Sequence, residues 1–189
     1  YKGARLLLID PRQTKLTPFA HLWLRPRIGT DVALINGLAR TIIEERLFDE
    51  EFVTRRTDNF TELERSLKPY TPDYVKEITG VPARKVQVAA RLFAVAGSAS
   101  IVYGNGVTQH VTGTDCVMAL ANLAMLTGNI GQRGGGIFAL QRENNAQGAC
   151  DMGSLPDFLP SYQAIADAQA RKRFEERWRV PLPANPGLT

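Results

Sequence analysis

The chain has 189 residues, of which 44% are hydrophobic, 22% charged and 8% aromatic, the balance of a globular core former and not of a disordered or fibrous chain. Its 16 glycines and 11 prolines stay below the fraction at which composition alone signals low complexity. A net charge of +4 suits a phosphate-bearing ligand, but the basic residues are dispersed with no block of five like charges, which argues against a nucleic-acid-binding stripe.

In chain order, Ala4 to Ile9 reads as a short buried strand stopped at Asp10-Pro11, where proline removes a backbone donor. His21 to Arg25 is a second, weaker strand. Thr30 or Asp31 then caps a helix whose apolar residues Val32, Ile35, Leu38, Ala39, Ile42 and Ile43 share one face, ending near Arg46. Thr71-Pro72-Asp73 opens a short helix that Gly80 closes, and Val86, Ala89, Ala90 and Phe93 continue as another. Ser98 to Tyr103 is a β-branched strand running into Gly104-Asn105-Gly106. Thr114 caps a further helix that buries Val117, Leu120, Ala121, Ala124 and Met125 and stops at Gly128. The longest apolar run, Val117 to Leu126, is interrupted by Asn122 and falls far short of the roughly 20 residues a membrane span requires.

Strands alternating with helices imply an α/β fold with a parallel sheet, whose ligands lie beyond the strand C-termini. From Gly128 to Gly153 the chain carries seven glycines together with Asn129, Gln132, Gln141, Asn144, Asn145 and Gln147. This irregular Gly/Asn/Gln-rich segment suits close backbone approach and amide contacts to a heterocycle edge. Leu155 to Pro160 is extended, Tyr162 to Trp178 an amphipathic helix, and the tail from Pro181 loose. The domain boundary is expected after Gly153, giving an α/β ligand-binding domain over 1–153 and a segment, helix and tail over 154–189.

Cys116 and Cys150 form no CxxC, and the two histidines, His21 and His110, stand alone. Neither a disulfide framework nor a zinc site is encoded, and both thiols are expected to be inert and buried. This usage points to a reducing compartment, the cytoplasm, with the periplasm as the alternative. Because the chain starts at Tyr1 and leads almost at once into an apolar strand, it is expected to be cut from a longer one.

The strand with IDPR, the loop RIGTD before a helix, YGNGVTQH after a strand, MLTGNIGQRGGG and ENNAQGACDMGSLP, in this order from about Ala4 to Tyr162, closely resemble molybdopterin oxidoreductases. The formate dehydrogenase alpha subunit is the nearest branch. The resemblance implies a dinucleotide-binding-like (Rossmann-like) α/β core that grips a molybdopterin guanine dinucleotide carrying Mo or W. It further implies a parent enzyme that oxidises formate to CO2 and passes two electrons to the metal. The [4Fe–4S] cluster, the metal ligand and the remaining domains are expected outside this stretch, as is the unidentified electron-acceptor partner. No residue here is assigned a catalytic or metal-ligating role, and the chain alone is expected to be inactive.

Carried over residue by residue, Asp10, Pro11 and Arg12 match the strand-end motif against the guanosine part. Gly29 and Asp31 match the glycine-threonine-aspartate motif that holds guanine, though capping the following helix is an equally good role for Asp31. Gly104, Asn105, Gly106 and Gln109 match a loop that touches pterin or phosphate, its glycines allowing positive φ. Glu143 stands where a cofactor-touching glutamine is usual. Gln141 stands where formate dehydrogenases place the arginine that orients formate, so Arg142, next door, is the candidate for that contact, and a substrate other than formate is the alternative. A non-catalytic cofactor-binding or scaffold subunit is the other competing function.

Overall fold

A computed structural model describes residues 3–187. The class is α/β as expected, but the strands form three separate two-stranded sheets and no single continuous one. The chain divides into two compact units, one up to Leu140 and one from Gln141. That division falls inside the glycine-rich segment, earlier than the boundary read from the sequence after Gly153.

In the first unit, β1 (Leu7–Ile9) pairs in parallel with β2 (Leu22–Leu24), Leu8 opposite Trp23. Helix α1 (Asp31–Glu44) follows at once and is the centre of the core, with Leu34 and Ile42 completely buried and Ile35, Leu38 and Ala39 nearly so. Each such aliphatic side chain contributes roughly 1.5–3 kcal/mol on burial. The helix ends as read, near Arg46, in a Schellman turn: Leu47 N–H donates to the Ile42 carbonyl, Arg46 N–H to that of Ile43, and Arg46 itself sits at φ 53°.

Next come α2 (Glu50–Arg56) and α3 (Phe60–Leu67), then α4 (Pro72–Thr79) and α5 (Ala83–Ala94). Helix α4 carries the expected ends: the Thr71 hydroxyl accepts from Tyr74 N–H, and Gly80 closes it at φ 76°. It lies so close to α1 that a Cβ on Gly37 would fall 2.6 Å from a methyl of the fully buried Val75. Bidentate hydrogen bonds of 2.7 and 2.8 Å join Arg91 of α5 to Glu45 at the end of α1.

Strand β3 (Ser100–Tyr103) leads through the short α6 (Asn105–Thr108) and α7 (Gly113–Leu126) to β4 (Gly136–Ala139), which pairs with it in parallel, Ile101 opposite Ile137. Thr112, not Thr114, occupies the cap position of α7, and its side chain makes no capping bond. In the second unit, α8 (Ala146–Asp151) precedes an antiparallel pair, β5 (Phe158–Leu159) and β6 (Gln163–Ala164), and then α9 (Ala168–Trp178). So the glycine-rich segment is not wholly irregular, since it contains β4 and α8. The last helix is shorter than expected, starting at Ala168 where the Asp167 carboxylate accepts from Gln169 and Ala170 N–H. Its Phe174 and Trp178 rings meet on one side of the helix, tilted at 53° with centroids 4.9 Å apart, as the amphipathic pattern implied. The tail is tethered and not loose as far as Gly187, whose N–H donates to the Pro156 carbonyl; residues 188 and 189 lie outside the described residues. Among the described residues no helix is long and apolar enough to cross a membrane.

Candidate cofactor site

Because β1 and β2 are parallel, both hand their chain to a loop at the same end, and these loops are Asp10-Pro11-Arg12 and Arg27 to Asp31. The first is braced from β2 and beyond: the Trp23 indole N–H donates to the Asp10 carbonyl at 2.8 Å, and Arg25 Nε donates to that of Pro11 at 2.9 Å. Asp10 uses one carboxylate oxygen to accept from Arg12 N–H at 2.7 Å, which leaves the second open. The Arg12 side chain is 84% exposed and touches Asp10 only at 3.9 Å, a distance at which an exposed pair has little hold on its cation.

In the second loop, Thr30 N–H donates back to the Arg27 carbonyl across a turn that places Gly29 at φ 80°. A side chain there would be strained. Thr30 stands in the cap position of α1, yet its hydroxyl donates to Arg27 O at 2.7 Å and caps nothing. Asp31 lies inside the first turn, where the helix dipole favours a carboxylate. Its side chain makes no hydrogen bond or ion pair among the described residues. Of the two expected caps, Thr30 holds the position and Asp31 does not, neither side chain makes a capping bond, and among the described residues both Asp31 oxygens are uncommitted. The Asp31 charge is felt by Cys116 in α7: burial first, and this carboxylate second, push its thiol up to about 11. Cys116 is buried and inert as expected, whereas Cys150 is only half-buried.

The loop after β3 departs from expectation. Gly104 is extended at φ −136°, Asn105 and Gly106 open α6, and neither glycine takes a positive φ. Their use must lie elsewhere: a Cβ on Gly106 would meet nothing within 4 Å, and one on Gly104 would sit at ordinary distance from the Leu140 carbonyl. A helical glycine costs about 0.5–1 kcal/mol relative to alanine, and nothing in this unit's own packing explains that cost at Gly106. Gln109 is exposed at the end of α6, its side chain unbonded among the described residues.

The amides read as ligand contacts separate into two groups. Asn129 is 1% exposed and fully spent: its Oδ1 accepts from Ala99 N–H at 2.7 Å and Gln132 Nε2 at 2.8 Å, while Nδ2 donates to Thr127 Oγ1. In the second unit Asn145 caps α8 by accepting from Gly148 N–H, and Gln147 donates to Asp151. These four hold the chain's own turns. Gln141, Arg142, Glu143 and Asn144 remain exposed, and their side chains have no partners among the described residues.

Sequence reasoning missed the Trp23 and Arg25 braces and the structural role of Asn129. A Trp inside a short strand with an Arg just after it, or an Asn three residues past a helix end, were the signals available. Among the described residues no three His, Cys, Asp or Glu side chains gather as a metal site.

The chain matches the molybdopterin oxidoreductase family over residues 1–181, and it belongs to that family. It is 46% identical over 188 residues to the F420-dependent formate dehydrogenase subunit alpha of Methanocaldococcus jannaschii, covering all of this chain and 28% of that protein. Formate dehydrogenase H of Escherichia coli is 43% identical over 186 residues, covering 98% of this chain and 26% of its own. Among solved structures, acetylene hydratase from Pelobacter acetylenicus superposes with a TM-score of 0.69 at 34% identity, covering 70% of this chain and 18% of that one. The chain thus spans little more than a quarter of the length of these two curated relatives.

Proposed function

We propose that this chain is the part of a molybdenum- or tungsten-dependent, formate-dehydrogenase-like oxidoreductase that holds a pyranopterin guanine dinucleotide. The observation that carries the proposal is the uncommitted Asp31 carboxylate beside the left-handed Gly29 turn, at the same end of a parallel strand pair as Asp10 and Arg12. That donor set matches a guanosine phosphate. Asp31 accepts from the guanine ring N–H and exocyclic amine together, the open Asp10 oxygen accepts from a ribose hydroxyl, and Arg12 pairs with phosphate. Open space at Gly106 supports close approach of the α6 backbone to pterin or phosphate, with the exposed Gln109 as a further polar contact; for Glu143 the cofactor role rests on the family motif alone. We assign cofactor binding to residues 1–153, and read the two parallel pairs as parts of a Rossmann-like sheet completed by the rest of the protein.

When bound, the metal–pterin group supplies the redox chemistry, taking two electrons as formate becomes CO2. Residues of this chain position and neutralise. Arg142 is assigned the formate carboxylate, from the position next to Gln141. The [4Fe–4S] centre, the metal ligand and the contact to an electron acceptor belong to other parts of a cytoplasmic enzyme. A substrate other than formate is the second reading; Gln141 in place of the expected arginine favours it, and similarity to a hydratase is compatible with it.

Asp31→Asn in the parent enzyme tests the assignment. Asn turns a donor toward two donors and costs about 1–3 kcal/mol of cofactor binding. It removes no capping bond, only the charge that the helix dipole favours, about 0.3–1 kcal/mol, so the cofactor-free protein melts within a few degrees of wild type. Full guanine-dinucleotide loading in the Asn variant would defeat the proposal.

A further inference from the structure

Arg27 occupies an unusual place in the loop that carries Asp31. Its backbone N–H donates to the Thr79 carbonyl at 2.8 Å, and its guanidinium Nη1 donates to the carbonyls of Glu77 at 2.8 Å and Ile78 at 3.1 Å. One residue thereby satisfies three carbonyls in the last turn of α4, groups that a helix end leaves without intrahelical partners. A cation is also favoured there by the helix dipole. The far side of the same residue holds the turn: the Arg27 carbonyl accepts from both Thr30 N–H at 3.3 Å and the Thr30 hydroxyl at 2.7 Å.

Helix α4 is a firm anchor. Its Val75 and Thr79 are completely buried, with Val75 packed on Gly37 of α1. Thr79 Oγ1 donates to the Val75 carbonyl and accepts from Val81 N–H, fixing the point where α4 ends. Without the Arg27 clamp the turn has little else to hold it. Ile28 at its tip is 78% exposed, a Cβ added to Gly29 would meet nothing within 4 Å, and Asp31 makes no side-chain bond among the described residues.

We propose that Arg27 is a positioning residue for base recognition: by clamping the Arg27–Thr30 turn to the end of α4, it sets the direction in which Asp31 presents its carboxylate. The inference rests on the guanine assignment of Asp31 made above. A paired contact to a ring N–H and an amine requires both oxygens in the base plane, so a loosened turn loses discrimination among bases before it loses general affinity for nucleotide phosphate, which other loops supply.

The test uses the parent enzyme prepared without its cofactor and titrated calorimetrically with guanosine diphosphate and adenosine diphosphate. In Arg27→Met, which keeps the aliphatic stem and the backbone bond to Thr79 but removes the guanidinium donors to Glu77 and Ile78, the guanine-to-adenine affinity ratio is expected to fall about fivefold, the weight of one well-formed hydrogen bond. Arg27→Lys keeps a cation that satisfies fewer carbonyls and gives an intermediate ratio. A wild-type ratio in these variants, or equal loss of both affinities, overturns the proposal, since a purely structural role would lower the melting temperature without touching discrimination. If Arg27→Met does not fold, the Lys variant alone decides, by an intermediate or an unchanged ratio. Asp31→Asn run alongside separates the two claims: its failure to alter the ratio sinks the guanine assignment, whereas a change there with none at Arg27 sinks the clamp.

Discussion

Replacing Asn129 by alanine removes one side chain and breaks three hydrogen bonds at the junction of α7, β3 and the glycine-rich loop. The losses are unequal. Ala99 N–H, half-buried at the entry to β3, loses its acceptor, and an unsatisfied buried donor costs about 1–3 kcal/mol. Thr127 Oγ1 still donates to the Leu123 carbonyl, so it loses only an accepting role. Gln132 is exposed and turns to water at little cost. Adding the small void left at a site 1% exposed, the expected destabilisation is about 2–3 kcal/mol. Asn129→Asp keeps the Oδ1 acceptor for Ala99 and loses only the donation to Thr127, but buries a carboxylate, so its penalty depends on pH and relaxes on acidification. Urea unfolding of the three proteins measures this. A loss under about 0.5 kcal/mol for Asn129→Ala would refute the reasoning and return Asn129 to the exposed, ligand-facing amides.

Gly37→Ala is expected to destabilise by about 1–3 kcal/mol in spite of the better helix propensity, because the new methyl would overlap Val75; a double variant with Val75→Ala should recover much of that loss in thermal melts. The Arg91 hydrogen bond, more than its charge, holds the Glu45 carboxyl below its ordinary value. A depressed folded-state pKa contributes stability above the unfolded value, lost as pH falls through the folded one. The advantage of wild type over Glu45→Gln should therefore be present at neutral pH and vanish on acidification, and a difference that persists in acid would contradict the pairing.

Helix α1 was legible because apolar residues recur on one face from Val32 to Ile43 and a polar loop precedes them. The ends of α4 were legible for a local reason as well, a Thr-Pro start and a glycine stop. Helices α2 and α3 were not, since Phe52, Val53, Phe60, Leu63 and Leu67 lie sparsely among charges; the Asp49 cap on Phe52 N–H and the packing of Val53, Phe60, Leu63 and Leu67 on the rest of the first unit hold them. Binding residues were legible as motifs but not as states. Nothing in the letters tells whether an aspartate before a helix caps it, and Asp31 proved free because Thr30 took the cap position and spent its hydroxyl backwards on Arg27. Nor could composition separate amides that hold turns, such as Asn129, from those left open, such as Gln141, because the difference lies in how the backbone turns around each one and, for Asn129, in the Ala99 N–H 30 residues away.

The central claim is that this chain binds the guanosine end of a pterin dinucleotide through Asp31, Asp10 and Arg12. The most direct measurement is the nucleotide released by acid from the parent enzyme purified with its cofactor. The account predicts guanosine monophosphate in proportion to pterin, sharply reduced in Asp31→Asn. Pterin without nucleotide, another base, or an unchanged guanosine yield in that variant would contradict it.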